Sequence, residues 1–169
     1  LDRLCERWIF NRIGMESTFY NPDLSIKDNI IPTEEDNYFR NRLLIGEVHD
    51  ENAYLLNGIS GHAGIFSNAN DLAKYGQLFL NGGTWLGNRI FSDNQINNFT
   101  TRQEIPPGSD RAIGWDTPSR NGKSSAGDHF SDHSYGHLGF TGTSLWIDHK
   151  NKVIVVLLTN RVHPSRNQQ

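Results

Sequence analysis

Seven histidines are present, and three of them, His129, His133 and His137, recur every four residues with Asp128 and Asp132 beside them. On a helix that spacing puts three imidazoles on one face, as a metal site requires. Gly127, Gly136 and Gly139 bracket the run, and Ser131 and Ser134 weaken a helix further. On a loop and strand the spacing fixes no ligand geometry, so solvated histidines are the expected outcome. A metal-binding domain using these three histidines stands as an alternative, and no cofactor is expected. The single cysteine, Cys5, has no internal disulfide partner and lies in an apolar helical pattern, so a buried structural thiol is expected. A nucleophile elbow needs Gly-x-Ser-x-Gly, and Gly58-Ile59-Ser60-Gly61 is one residue short of it. Trp85, Trp115 and Trp146 suggest an aromatic platform for glycans, the basis of a second alternative: a non-catalytic cell-wall or glycan-binding module. Core packing is the commoner use of such residues.

The stretch SYGHLGFTGTSLWID followed by VIVVLLTNRVHP carries more information. It resembles the final active-site strands of the penicillin-recognising serine hydrolases, the family of β-lactamases and penicillin-binding proteins. That family carries Lys-Thr-Gly, or a His-x-Gly variant, on the strand beside its nucleophile, and His137-Leu138-Gly139 fits the variant. Glycine there lets a substrate lie against the strand edge, and the imidazole supports proton transfer or holds an acidic group. The resemblance implies catalytic parts for His137, Gly139 and Phe140, with the Phe140 N–H as one oxyanion donor and the second donor on the nucleophile itself. It also implies substrate contacts for Leu138, Thr141, Asn160 and His163. GISGHAGIFSNANDLAKYGQLFLNGG resembles the glycine-rich loop and capped helix that wall the family's cleft, which implies substrate contacts for His62 and Ala63. Ile13-Gly14-Met15-Glu16-Ser17-Thr18 resembles a Leu-Gly-Met-x-x-Thr segment of the same family.

Two family motifs are absent from the 169 residues. No serine has lysine three positions on, so Ser-x-x-Lys is missing, and no Tyr-x-Asn occurs. Ser92-Asp93-Asn94 matches Ser-Asp-Asn by letter but follows the cleft-wall segment, out of the family's order, and reads as a helix cap. The chain is therefore expected to be the C-terminal portion of a single hydrolase domain, residues 1–169, with the nucleophile in a missing N-terminal part of the same protein. Leu1 in place of an initiating Met fits an excised fragment. By itself this piece is expected to be inactive. The complete protein is expected to form an acyl-enzyme on an amide, ester or β-lactam, a small-molecule or peptidoglycan-derived substrate. Histidine in place of lysine favours an esterase, peptidase or amidase. The family also implies a periplasmic or cell-envelope location.

The elements that position these residues follow from spacing. Leu1, Leu4, Cys5, Trp8 and Ile9 predict a helix that Gly14 stops. Residues 15–60 read as long loops with short elements. Ser67 or Asn68 caps a helix to about Asn81 with a Leu72, Tyr75, Phe79 stripe, ended by Gly82-Gly83. Ser92 with Gln95 predicts a capping box on a helix to Phe99. Pro106-Pro107-Gly108 marks a loop, Ala112–Trp115 a short strand, and residues 117–134 a loop. Tyr135–Gly139, Thr143–Asp148 and Val153–Asn160 predict three strands, the last two a hairpin across His149–Lys152. Val153–Leu158 is continuously apolar, which predicts burial on both faces. The expected fold is α/β (α+β), an antiparallel sheet covered by helices and of β-lactamase/transpeptidase type, incomplete at the N-terminus and at the C-terminus. Net charge is −3 with both signs interspersed, so no basic stripe marks a nucleic-acid partner. No apolar run reaches the ~20 residues that cross a bilayer, so no transmembrane segment is expected.

Overall fold

A computed structural model describes residues 1–120 and 122–167. The chain divides into two compact units.

The first unit gathers Leu1–Asp71, Phe140–Thr143 and residues 158–167. It opens with helix: α1 (Asp2–Cys5), a π-helical turn (Glu6–Phe10) and α2 (Asn11–Ile13). Gly14 ends the run at φ 69°, the left-handed conformation in which a glycine carries no Cβ penalty. The buried face is not the predicted stripe. Phe10 and Ile13 are inside, whereas Leu1, Leu4 and Trp8 are more than half exposed, and Cys5 is only half-buried. The π turn accounts for part of the difference, because its wider winding rotates the residues after Glu6 off the 3.6-residue register; Leu1 and Leu4 precede it. Short elements follow, as expected for this polar stretch. Strand β1 (Phe19–Tyr20) precedes a 3-10 helix (Leu24–Asn29), and β2 (Glu35–Asp36) pairs antiparallel with β3 (Arg42–Leu43). Asp50 caps α3 (Glu51–Leu55) by accepting the Ala53 N–H, and β4 (Ile65–Phe66) pairs antiparallel with β1.

So little regular structure leaves the first unit dependent on buried polar bonds. Asp36 is fully buried and accepts the N–H groups of Tyr38, Phe39 and Arg40 together with the Arg40 Nε–H at 3.0 Å. The rest of the Arg40 fork donates to the carbonyls of Val48 and His49, each at 2.7 Å. These donors outweigh the burial of Asp36 and hold its carboxyl well below the usual carboxylate range.

The second unit gathers Leu72–Gly139 and Ser144–Leu157. Helix α4 (Ala69–Leu80) starts at Asn68, whose side chain accepts the Asp71 N–H, and runs into this unit. After a small hairpin, β5 (Thr84–Trp85) with β6 (Asn88–Arg89), the predicted capping box opens α5 (Asp93–Thr100). Ala112–Trp115 does not form a strand. It is a turn between the isolated bridge residues Arg111 and Asp116, and Asp116 bridges in turn to Gly136. Three strands complete the unit: β7 (Ser134–Gly139), β8 (Thr143–Asp148) and β9 (Val153–Leu158), in the order β7-β8-β9. The four residues between β8 and β9 are too few for a parallel crossover, so that pair is an antiparallel hairpin.

Burial on both faces falls on β8, not on β9 as its composition suggests. Leu145 and Ile147 face a core of Phe79, Leu80, Ile96 and Tyr135, while Trp146 and Asp148 are buried on the other face. β9 inserts only Ile154 and Val156, and leaves Val153, Val155 and Leu157 at 43%, 42% and 56% exposure. The reason is position. β8 is the central strand and β9 an edge, and on the face beyond β8 the loop residue Phe130 packs on Trp146, ring to ring at 5.7 Å. Trp115 joins the aromatic core, 5.3 Å from Phe79 and 5.5 Å from Tyr135. Trp115 and Trp146 are therefore packing residues and make no exposed platform.

Candidate active site

The strand that carries His137 is built to expose it. Ser134, Tyr135 and Gly136 are buried, and His137, Leu138 and Gly139 emerge together. Gly136 is the anchor. A Cβ there would stand 2.3 Å from the Trp146 ring and 2.5 Å from the Leu145 carbonyl, so β7 lies against β8 only because this residue is glycine. His137 Nδ1 is 2.7 Å from the Leu138 carbonyl oxygen. A carbonyl only accepts, so Nδ1 carries the hydrogen and Nε2 keeps its lone pair in the neutral ring. An exposed imidazole with a fixed tautomer and an acceptor nitrogen unbonded among the described residues is suited to taking a proton.

The residues after Gly139 belong to the first unit, where segment 140–142 is pinned to segment 159–161. Arg161 Nε donates to the Phe140 carbonyl at 2.7 Å, Arg161 N to Thr141 at 2.9 Å, and Thr159 N to Gly142 at 3.2 Å. The Phe140 ring has the Arg161 guanidinium 4.5 Å from its centre and stacks on His49 at 5.7 Å. His49 in turn meets Glu34, Nε2 to Oε2 at 2.8 Å. Glu34 is 2% exposed and also accepts the Arg166 N–H and Nε–H, each at 2.7 Å. Burial opposes its ionisation, but the bonds from Arg166 and His49 prevail and hold the carboxyl down at about 2. Arg166 also reaches Glu51 at 2.8 Å.

The other expected site residues differ in how free they are. The Asn160 amide donates to the Pro32 and Thr33 carbonyls, and its oxygen accepts the Val162 N–H at 3.3 Å. Its side chain is therefore committed to holding two chain segments together. His163 is exposed, and Thr141 and Ala63 are half-buried. His62 is exposed, with Ser60 Oγ 2.8 Å from Nδ1 and Asp50 Oδ1 3.0 Å from Nε2. Hydrogen bonds, from the Ala53 N–H first, hold the Asp50 carboxyl below its usual range. Spacing gave no sign of Glu34, His49, Arg161 and Arg166, because they act from positions far apart in the chain. Among the described residues no three His, Cys, Asp or Glu side chains gather to hold a metal, so His129, His133 and His137 do not assemble the metal-binding alternative.

A sheet edged by an exposed His-x-Gly, with mixed helices, defines a mixed α/β domain of the β-lactamase and penicillin-binding-protein type. The chain belongs to the beta-lactamase family, whose profile matches residues 1–169. A Salmonella gallinarum protein named "Putative D-alanyl-D-alanine carboxypeptidase" is 35% identical over 183 residues, covering 96% of this chain and 40% of its own length. The chain thus spans about two fifths of that relative. A penicillin-binding protein homologue from Caulobacter crescentus has the same fold, with a TM-score of 0.65 at 15% identity over 94% of this chain and 46% of its own. A beta-lactamase from Mycobacterium bovis gives 0.59 at 18% identity, over 94% and 48%.

Proposed function

We propose that this chain is the C-terminal portion of a serine hydrolase domain that works through an acyl-enzyme on an amide or ester, with a peptidoglycan-derived peptide as the favoured substrate. The observation that carries the reading is the exposed end of β7. There the exposed His137 keeps Nε2 as an acceptor two residues before Gly139, in a chain of the beta-lactamase family. In this reading a serine outside the 169 residues attacks the carbonyl, His137 takes or returns a proton, and the Phe140 N–H faces the developing oxyanion. The family resemblance supports substrate contacts for Thr141, His62, Ala63 and His163 within the first unit and for Leu138 within the second. Asn160 contributes indirectly, by fixing the segment that pins Phe140.

The name borne by the Salmonella gallinarum relative supports a D-Ala-D-Ala peptide as the first substrate to try. The test is active-site labelling of the intact protein with a fluorophosphonate, followed by peptide mapping. The adduct should fall on a Ser-x-x-Lys serine upstream of Leu1, and labelling should abolish ester and peptide turnover. An intact protein with no such serine, or turnover that survives its replacement by alanine, would overturn the reading. The 169-residue chain by itself should not turn over nitrocefin.

A further inference from the structure

Ser60 and His62 lie on a loop that the hydrolase reading uses only as a cleft wall, and their polar atoms meet in an order with chemical consequences. We propose that Ser60, His62 and Asp50 form a second reactive-serine site, at which Ser60 accepts an acyl or phosphonyl group from an activated electrophile.

The hydrogen bonds fix the direction of proton flow. Asp50 Oδ1 is 3.0 Å from His62 Nε2, and a carboxylate only accepts, so Nε2 carries the ring hydrogen. Nδ1 then keeps its lone pair, and at 2.8 Å from Ser60 Oγ it accepts the hydroxyl hydrogen. A serine that donates to a neutral imidazole, itself oriented by a carboxylate, is the arrangement that activates a weak hydroxyl nucleophile. The ring nitrogens are exchanged relative to the serine-protease triad, but each still makes the bond its role needs.

The scaffold holds this order in place. Asp50 is fixed as the cap of α3, its Oδ1 also accepting the Ala53 N–H at 2.8 Å. Tyr20 donates its hydroxyl to the Ser60 carbonyl at 3.2 Å. The loop is closed at its base, since a Cβ on Gly64, at φ 119°, would lie 2.3 Å from the Gly58 carbonyl oxygen. Ser60 and His62 sit on the rim between those glycines. His62 is exposed and Ser60 partly so, so an electrophile reaches them without any opening of the chain.

The step balances without a further reactant. Against a fluorophosphonate, the Ser60 Oγ–P bond forms, the P–F bond breaks, fluoride leaves, and the hydroxyl proton passes to His62 Nδ1 and then to water. Asp50 balances the charge of the transient imidazolium. Against an activated ester, the same attack leaves acyl-Ser60 and releases the alcohol. Among the described residues no imidazole bonds the exposed Ser125, which makes it an internal control.

The test is time-resolved fluorophosphonate labelling of the intact protein, with each serine peptide read separately by mass spectrometry. Ser60 should be labelled on the order of 10²-fold faster than Ser125, the contribution expected of a positioned general base. His62→Gln should bring Ser60 down to the Ser125 rate. Asp50→Asn keeps a helix cap but loses the charge that fixes the tautomer, and should slow Ser60 at least tenfold with an unchanged circular dichroism spectrum. Equal rates at Ser60 and Ser125, or a Ser60 rate indifferent to His62→Gln, would overturn the proposal. An adduct found only on a Ser-x-x-Lys serine would overturn it too, while leaving the hydrolase reading intact.

Discussion

At the scale of single residues, the question is what each side chain's partners leave it free to do. His137 spends Nδ1 on its neighbour's carbonyl and keeps Nε2 exposed, so its remaining capacity is proton transfer. In the intact protein, His137→Ala should lower kcat by on the order of 10²-fold while KM changes little, read by steady-state kinetics on an ester substrate. An unchanged kcat would remove His137 from the chemistry. Asn160 shows the opposite case. It lies in the stretch that resembles the family, yet its amide is taken up by Pro32 and Thr33, 128 and 127 residues away in sequence. No local pattern reveals that commitment.

At the scale of elements, local chemistry predicts well wherever the stabilising bonds are local. The Ser92 hydroxyl accepts the Gln95 N–H and the Gln95 side chain returns to the Ser92 N–H, so α5 begins where four consecutive letters say it does. Ser92→Ala should cost about 1 kcal/mol, visible as a lower denaturation midpoint and faster amide exchange across residues 93–100, whereas Ser92→Asp should stay near wild type. Gly14 and Gly82-Gly83 end their helices for equally local reasons. Burial is not local. Val153–Leu158 has the composition of an interior strand but occupies a sheet edge, while the more polar Thr143–Asp148 takes the centre. Strand order decides which composition is buried, and spacing along the chain does not encode it. Ala112–Trp115 failed as a strand for a related reason: its bridging partners are single residues, so no ladder forms.

At the scale of the molecule, the first unit is assembled from three stretches separated by most of the chain, and the Glu34–Arg166 pairing spans 132 residues. That pairing makes stability depend on acid. Glu34 ionises at about 2 when folded against 4.5 when unfolded, so its contribution is complete above about pH 4.5 and disappears as pH falls through about 2. The loss is on the order of 3 kcal/mol, taking ~1.4 kcal/mol per pKa unit. Urea midpoints measured from pH 6 down to pH 2 should fall across that window. Glu34→Gln should flatten part of the fall, while Asp36 and Asp148, also held low, keep the remainder. A Glu34→Gln protein with the full acid slope would show that the pairing does not act through ionisation.

The sequence by itself determined the caps of α4 and α5, the glycine stops, the three-strand run and the family, because each rests on neighbours within a few residues or on a motif read along one strand. It also placed His137 and Gly139 on the strand that is β7, and the structure added that this end of it is exposed. Only the tertiary structure decided that Phe140 is pinned by Arg161 and stacked on His49, that Glu34 and Arg166 join two distant stretches of the first unit, and that Asp50, Ser60 and His62 share one set of hydrogen bonds. The physical reason is range. Caps and strand turns are satisfied by adjacent backbone, whereas a buried charge or a directed imidazole takes its partner from whichever segment the fold brings within about 3 Å.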